Sequence, residues 1–299
     1  GLGAGMNPEV GRKAAEESIE EIQNVIKGAD MVFLTGGGGG GTASGATGLI
    51  AKTAKDQGIL TIAVFTKPFF FEGSQRMQIA ERAIEEIRKE VDAIIIIPND
   101  RLLSVIDKNT TCASAFAVCD EVLRQAVEGI SDLITTPGII NVDFADIRAI
   151  MSNTGSALMG IGRSAGDNRA VEAAKMAINS PLLDISIDGA KGVLFAIAGD
   201  SNMTMHEIQE AAKVIVDSID SNAKVIFGAI QDEKLGKNEI KVTVIATGFP
   251  ENQKKKPLAG EEKPSASGAD PSRRTEAEEK RKDPPPTVEL RHPPEKKSE

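Results

Sequence analysis

A run of six consecutive glycines, residues 36–41, constrains the fold of this chain more than any other feature of its sequence. The apolar segment 31–34 precedes the run, and a segment with helical character, 42–56, follows it. Between a strand and a helix, backbone N–H groups and the helix N-terminus together can hold a phosphate group. Glycine suits such a loop because the backbone approaches the ligand closely and some residues take a positive φ. The run therefore predicts either a phosphate-binding loop or a flexible packing loop.

The glycine run matches neither of the two commonest nucleotide-binding motifs. No Lys-Ser or Lys-Thr pair follows it at the spacing of a Walker loop, and it matches the dinucleotide fingerprint G-x-G-x-x-G poorly. A dinucleotide-dependent oxidoreductase also needs an acidic residue at the end of the next strand, where Thr66 and Lys67 stand instead. The sequence therefore disfavours an oxidoreductase.

Short apolar segments alternate with helical segments over about the first 250 residues. Strands are predicted at 31–34, 59–65 and 93–97, and helices at 8–26, 42–56 and 73–90. Because these strands are continuously apolar, they are typical of a parallel sheet that helices cover on both faces. After a long helix at 111–134, further strands at 193–198, 225–230 and 240–246, with a helix at 205–219, predict a second sheet.

The predicted fold class is α/β, in four parts. Residues 1–110 form a first domain, 111–134 a long central helix, 135–250 a second α/β domain and 251–299 a tail. The tail holds eight of the 14 prolines and no aromatic residue, so it cannot bury enough apolar surface to offset the entropy cost of ordering. We expect a disordered tail.

Charge and apolar patterning narrow the class of protein. The net charge of −9 argues against nucleic-acid binding, which requires a basic excess. No apolar segment approaches the roughly 18 residues that span a bilayer, and no charged-then-apolar leader opens the sequence, so neither membrane insertion nor export is expected. Cys112 and Cys119 fall on one predicted helix, about 10 Å apart along its axis, too far for a disulfide. These features predict a cytoplasmic protein.

The segment 141–146 holds candidate catalytic residues, Asn141, Asp143 and Asp146. Asp143 precedes a helical segment as an N-cap would, and Asp146 lies one turn inside that segment. Two carboxylates that face a common point polarise water or hold a cation in phosphoryl transfer. From these residues alone, capping is the stronger interpretation. A Ser-His-Asp triad has only His206 available, because it is the one histidine outside the tail. No set of Cys and His residues has the spacing of metal ligands.

Several motifs occur together and in order along the chain. They lie at residues 1–8, 36–45, 67–73, 98–103, 115–120, 141–146 and 155–160. On these motifs the sequence resembles the FtsZ family of bacterial tubulin-like cell-division GTPases, over about residues 1–250. The resemblance implies a tubulin-like fold, with a Rossmann-like parallel-sheet GTPase domain, a long central helix and a second α/β domain.

The resemblance also implies a site for GTP or GDP. The residues that match the family's nucleotide contacts are Ala4 and Gly5 (γ-phosphate), Gly40, Gly41, Thr42 and Ala43 (phosphate loop), Glu72 and Arg76 (ribose and phosphates), and Asn99, Phe116 and Asp120 (guanine). Asp120 suits its position because a carboxylate accepts from the N–H groups of guanine, which distinguishes guanine from adenine. Mg²⁺ is expected to help neutralise the phosphate charge.

Assembly is a further implication of the resemblance. Asn141, Asp143 and Asp146 match the family's synergy loop, which reaches into the nucleotide pocket of the next subunit and positions the attacking water. A catalytic role for Asp143 and Asp146 thereby replaces capping as the preferred interpretation. The chain is then expected to polymerise head to tail into protofilaments of the cell-division ring, with hydrolysis completed in trans. Its expected partners are further copies of itself and membrane-tethering division proteins.

Three departures from the family pattern carry expectations of their own. Ala43 replaces a loop glycine, at a cost of about 1–2 kcal/mol if the position needs a positive φ, or at none if it lies in the first helical turn. Gly36 and Gly38 replace larger residues, which predicts a looser loop. The family also has an earlier segment with a first strand and another phosphate loop, so the chain is expected to be N-terminally truncated.

The family's usual C-terminal tethering peptide is also not evident in the tail. Together with the other departures, this leaves open an alternative function. The chain would then be a degenerate relative that does not hydrolyse GTP and acts as a structural co-assembly subunit.

Overall fold

Helices and strands alternate in the first hundred residues, as predicted. The computed structural model describes residues 3–103, 106, 110–183, 186–232 and 234–249. The predicted disordered tail, 251–299, lies outside these residues. The elements are α1 (Pro8–Glu17), α2 (Ile19–Ile26), β1 (Met31–Gly37), α3 (Gly41–Asp56), β2 (Leu60–Lys67), a 3-10 turn (Phe70–Glu72), α4 (Ser74–Glu90) and β3 (Ala93–Pro98).

Helix α1 begins where its sequence predicts a start. The Asn7 side chain accepts a hydrogen bond from the Glu9 N–H at 3.0 Å, and Pro8 occupies the first turn, where its missing N–H costs nothing. The single predicted helix 8–26 is wrong, because Ser18 leaves helical geometry at φ −105° and ψ 17°. The chain therefore continues as a separate short helix, α2.

The remaining described residues form five helices and four strands. These are α5 (Asn99–Leu102), α6 (Cys112–Thr135), α7 (Phe144–Met151), β4 (Gly155–Ala165), α8 (Arg169–Ile178), β5 (Gly192–Gly199), α9 (Met205–Val216), β6 (Lys224–Gln231) and β7 (Glu239–Thr247). The long central helix is confirmed at α6, where the Thr111 hydroxyl accepts from the Ser114 N–H as an N-cap. The domain boundaries given above stay a prediction.

All seven described strands belong to one sheet, in the order β1-β2-β3-β4-β7-β5-β6. The first four strands are parallel, and β7 runs antiparallel between β4 and β5. The predicted second sheet is therefore wrong, since β5, β6 and β7 continue the first one. The link is β4, which pairs with β3 over three residues and with β7 over nine, from Ala157 to Ala165.

Strand β4 was not predicted from the sequence, because glycines interrupt its apolar pattern. A Cβ on Gly160 would lie 2.0 Å from the Ala177 carbonyl oxygen, and one on Gly162 the same distance from the Ala173 oxygen. Both positions need glycine, because α8 packs directly on the strand backbone. Such glycines weaken the β pattern in a sequence, and only the packed helix explains them.

The core lies on both faces of this sheet. All eight residues of β5 are buried, and in β2 every residue except Lys67 is buried, which confirms the continuously apolar strands. Helix α6 buries one face, at Cys119, Val122, Ala126, Gly129, Ile130 and Leu133. Within the described residues, no helix is both long and apolar enough to cross a membrane.

Candidate functional site

The predicted nucleotide contacts gather at the carboxyl-terminal edge of the parallel strands. The glycine loop follows β1, the turn Phe70–Glu72 follows β2, and α5 follows β3. The strand register aligns these ends, since Gly37 pairs with Thr66 and Lys67 pairs with Pro98. In open α/β sheets this edge is where ligands bind.

The glycine loop leads into a helix whose first N–H groups are available to an anion. Helix α3 begins at Gly41, and its N-cap Gly40 makes no side-chain hydrogen bond to the first turn. By contrast, the side chains of Asn7, Thr111 and Asp143 cap α1, α6 and α7. Uncapped N–H groups and the positive end of the helix dipole together attract a phosphate.

Close contacts on both sides hold the loop in place. The Gly39 N–H donates to the Ser44 hydroxyl at 3.1 Å, and Gly39 has a φ of +89°. A Cβ on Gly38 would lie 2.8 Å from the Thr66 carbonyl oxygen, and one on Gly36 would lie 2.9 Å from the Ala43 Cβ. The prediction that Gly36 and Gly38 loosen the loop is wrong, because larger side chains have no room there.

Ala43 lies in the first turns of α3, and the structure decides between the two costs considered for it. Its φ is not positive: among the described residues, the non-glycine residues with a positive φ are Met6, Asn153 and Asn238. The positive φ of the loop falls on Gly39 instead. Ala43 therefore carries no backbone strain.

The segment that contains Ala4 and Gly5 packs against the start of α3. A Cβ on Gly41 would lie 2.7 Å from both the Ala4 Cβ and the Asn7 carbonyl oxygen. Gly5 has a φ of +58°, which a residue with a side chain rarely adopts. Ala4, Gly5, Gly40, Gly41 and exposed Thr42 are thus neighbours, as the resemblance implied.

Glu72 and Arg76 extend the site to the other side of the loop. A Cβ on Gly39 would lie 2.8 Å from the Arg76 carbonyl oxygen, so Arg76 borders the loop directly. The Arg76 guanidinium forms an ion pair with Glu72, whose other carboxylate oxygen accepts from the Phe69 N–H at 2.9 Å. Glu72 therefore ties the turn after β2 to helix α4.

An aromatic cluster continues the site towards α6. The Phe69 ring stacks on Phe71 at 5.0 Å between centroids and meets Phe116 edge-on at 5.4 Å. Phe69 is buried, while Phe116 is 40% exposed and presents a ring one turn before the exposed carboxylate of Asp120. The sequence does not reveal these rings as one cluster, because they come from two parts of the chain that meet only when it folds.

A buried amide and a buried thiol complete this edge. Asn99, at the start of α5, is only 6% exposed, and its Oδ1 atom has no hydrogen-bond partner among the described residues. A buried acceptor without a partner is costly and suits a bound ligand that donates to it. Burial, followed by the negative charge of Asp120, raises the pKa of Cys119 to about 11, so its thiol stays protonated.

Asn141, Asp143 and Asp146 lie elsewhere. Asp143 accepts from the Ala145 N–H at 2.9 Å and caps α7, and all three side chains are exposed. Helix α7 packs at the amino-terminal edge of the parallel strands, where the antiparallel strand β7 ends and the Thr247 hydroxyl donates to the Ile150 carbonyl oxygen at 3.1 Å.

The two groups of residues are widely separated. Helix α6 carries the chain from Phe116 to Thr135, roughly 29 Å at 1.5 Å per residue. Within the described part of the chain, neither Asp143 nor Asp146 has a hydrogen bond or ion pair to the glycine loop, Glu72 or Asp120. One copy of the chain thus presents the two halves of the predicted site at opposite edges of its sheet.

Comparison with known proteins identifies the family and the fold. Residues 1–107 match the model of the Tubulin/FtsZ family GTPase domain, and residues 155–250 match that of the FtsZ family C-terminal domain. Similar solved structures include an empty FtsZ dimer and an FtsZ point mutant, both from M. jannaschii. Each is 46% identical with a TM-score of 0.80, and the match covers 83% of this chain and 72% or 74% of theirs.

A more distant structure, a GDP-bound monomer of CetZ1 from Haloferax volcanii, supports the fold alone. It is 22% identical with a TM-score of 0.68, and the match covers 84% of this chain and 76% of that one. The fold and the matched residues define the class of the protein, which is a tubulin-like α/β protein with a GTPase domain. Within that class, the chain belongs to the FtsZ family.

Proposed function

We propose that this protein binds GTP, polymerises head to tail, and hydrolyses GTP to GDP and phosphate at the junction between two copies. One observation carries the proposal: the uncapped glycine loop and the carboxylates of Asp143 and Asp146 lie at opposite edges of one sheet. A head-to-tail contact brings the carboxylates of one copy to the glycine loop of the next. Hydrolysis then requires assembly, because neither surface alone holds all the catalytic groups.

In this proposal each group of the carboxyl-terminal edge has a defined contact. The N–H groups at the start of α3 bind phosphate oxygens, with Ala4, Gly5 and Arg76 around them. Phe116 stacks on the guanine, and the Asp120 carboxylate accepts from its N–H groups. The unpaired Oδ1 of Asn99 accepts a hydrogen bond from the nucleotide, which removes the cost of a buried acceptor without a partner.

Asp143 and Asp146 act on the attacking water. A carboxylate of the neighbouring copy orients that water in line with the γ-phosphorus and accepts its proton as the new P–O bond forms. The bond from the γ-phosphorus to the bridging oxygen breaks, and GDP leaves with that oxygen. Asn141 orients the loop, since its side chain accepts from the Gly138 N–H at 2.7 Å.

Mg²⁺ is proposed to enter with the nucleotide. Among the described residues, no group of three or more carboxylate, histidine or cysteine side chains is arranged to hold a metal ion. Mg²⁺ binds mainly through substrate phosphates and water, with one or two protein ligands. When bound, it neutralises charge on the phosphate oxygens.

The proposed biological setting is the cell-division ring in the cytoplasm. Self-association is supported by the solved FtsZ structure from M. jannaschii, which is a dimer. Membrane-tethering division proteins are proposed to connect the filaments to the membrane, as the resemblance to the family implies.

The test is GTP turnover per molecule as a function of protein concentration, with Mg²⁺ present. We expect turnover to rise above a threshold concentration and to fall strongly in Asp146→Ala, while that variant still binds a fluorescent GTP analogue. Turnover per molecule that stays constant over a hundredfold range of concentration would refute hydrolysis in trans. Binding without turnover at any concentration would instead favour the non-hydrolysing co-assembly subunit.

A further inference from the structure

The end of α3 contacts the segment that carries Asp143 and Asp146. The Lys55 ammonium donates to the Asn153 Oδ1 at 2.9 Å and to the Val91 carbonyl oxygen at 3.4 Å. It also lies 3.9 Å from the Asp92 carboxylate. Asn153 comes just after Ser152, the C-cap of α7, so a helix that begins at the glycine loop ends at the turn that follows α7.

Asp92 is the centre of this contact. It is 6% exposed, and its two carboxylate oxygens accept from the Thr61 N–H at 2.9 Å and the Asn153 N–H at 3.2 Å. Its carbonyl oxygen accepts from the N–H groups of Thr154 and Gly155. Asn153 has a φ of +51°, a left-handed conformation that asparagine tolerates better than most residues with a side chain, and these bonds hold the turn in that conformation.

A second contact lies nearer to the catalytic carboxylates. The Arg148 guanidinium on α7 donates to the Gly58 carbonyl oxygen at 3.2 Å, in the turn between α3 and β2. The same guanidinium lies 5.4 Å from the centroid of the Phe144 ring, which is the first residue of α7 and follows Asp143. Arg148 therefore joins the turn after α3 to the end of α7 that carries the carboxylates.

These polar contacts add to the restraint from the apolar face of α7. Ile147, Ile150 and Met151 seat that face in the core through burial, which is non-directional. Hydrogen bonds depend on direction as well as distance, so the bonds of Arg148, in the last turn of α7, and of Asn153, beyond its end, further restrain the rotation of the helix.

We infer that residues 55–58, through Lys55 and Arg148, position α7 so that Asp143 and Asp146 face the nucleotide of the neighbouring copy. Lys55 and Arg148 are positioning residues, which touch neither the nucleotide nor the water. The inference rests on the proposed hydrolysis in trans, and its consequence is specific. Loss of either contact impairs the copy that donates the carboxylates and leaves that copy's own nucleotide site intact.

The first experiment compares Lys55→Met and Arg148→Met with the matched control Lys52→Met in the full chain. Lys52 is an exposed lysine of the same helix, so its replacement removes the same charge without breaking a contact to α7. We expect the affinity for a fluorescent GTP analogue to stay within about twofold in all three. Turnover falls about 10- to 100-fold in the first two, as expected for misplaced catalytic groups, and Lys55→Arg recovers part of it.

The second experiment mixes subunits to find which half of the site is damaged. Lys55→Met mixed with Asp120→Ala, which keeps a normal α7 but lacks the guanine acceptor, is expected to recover turnover. A mixture of Lys55→Met with Asp146→Ala is not expected to recover turnover, because neither variant then supplies a working α7. The reverse pattern, or unchanged turnover in Lys55→Met and Arg148→Met, would overturn the inference.

The reference mixture of Asp120→Ala with Asp146→Ala separates this inference from the proposed function. If that mixture shows no more turnover than its components, hydrolysis in trans itself fails, and the inference fails with it. Circular dichroism checks that each variant folds. If Lys55→Met does not, Arg148→Met decides the question, because its side chain lies on the exposed face of α7.

Discussion

Two glycines in α3 provide a sharp test of how this helix is packed. Gly45 and Gly48 both lie in the interior of the helix, so replacing either with alanine gains about 1 kcal/mol of helix propensity. Their surroundings differ completely. A Cβ on Gly48 meets no atom within 4 Å, whereas one on Gly45 would lie 1.9 Å from the Pro8 carbonyl oxygen and 2.8 Å from the Arg12 backbone nitrogen.

The cost at Gly45 follows from these distances. Ordinary contact begins at 3.4 Å, so α1 must retreat by about 1.5 Å to admit the methyl group. Overpacking of this kind costs about 1–3 kcal/mol, and here the obstacle is backbone that cannot rotate away. We expect Gly48→Ala to stabilise the fold by up to about 1 kcal/mol, and Gly45→Ala to destabilise it by up to about 2 kcal/mol.

Urea denaturation followed by circular dichroism measures both values, and a melting curve provides a second readout. At about 2–4 °C per kcal/mol for a chain of this size, the two variants are expected to differ in Tm by several degrees. Equal stability of Gly45→Ala and Gly48→Ala would refute the close packing of α1 on α3. It would also refute the placement of Ala4 beside the glycine loop, because α1 leads directly from that segment.

Two other predictions concern single polar side chains, the buried amide of Asn99 and the half-buried carboxylate of Glu207. Asn99→Ala removes an acceptor that has no partner among the described residues, so we expect little change in the stability of the fold. GTP binding, measured by titration, is expected to weaken about tenfold, because the nucleotide loses an acceptor. Unchanged affinity would contradict the proposed role of Asn99. Hydrogen bonds from Arg169 lower the pKa of Glu207 from 4.5 to about 2, so the stability they contribute is present above pH 4.5 and lost as pH falls towards 2. In Glu207→Gln, urea midpoints measured over this range should fall less steeply than in the parent, and an identical fall would show that the ion pair is unimportant.

Local structure was largely predictable from the sequence. The strands β1, β2 and β3 and the helices α3, α4 and α6 lie within a few residues of their predicted positions. Their signals are contained in the elements themselves, as continuous apolar runs, helical periodicity and capping side chains. From the residues alone, capping of α7 by Asp143 was the stronger interpretation, and the structure shows that cap. The catalytic role that the resemblance gave to Asp143 stays a prediction.

The candidate site was predictable only in part. The glycine loop stood out, since few other structures require so many consecutive glycines. The lack of a partner for the buried Asn99 and the aromatic contacts of Phe69 could not be predicted from the sequence, because both depend on elements that are distant along the chain. The consequence of Ala43 likewise remained open until the start of α3 was known.

The sequence by itself determined the alternation of strands and helices, the position of the glycine loop and the family. These properties follow from residues that are neighbours along the chain. Tertiary structure alone decided that β4 joins all the described strands into one sheet, and that the glycine loop and Asp143 lie at its opposite edges. Those arrangements depend on contacts between residues as far apart as Lys55 and Asn153, which no local pattern encodes.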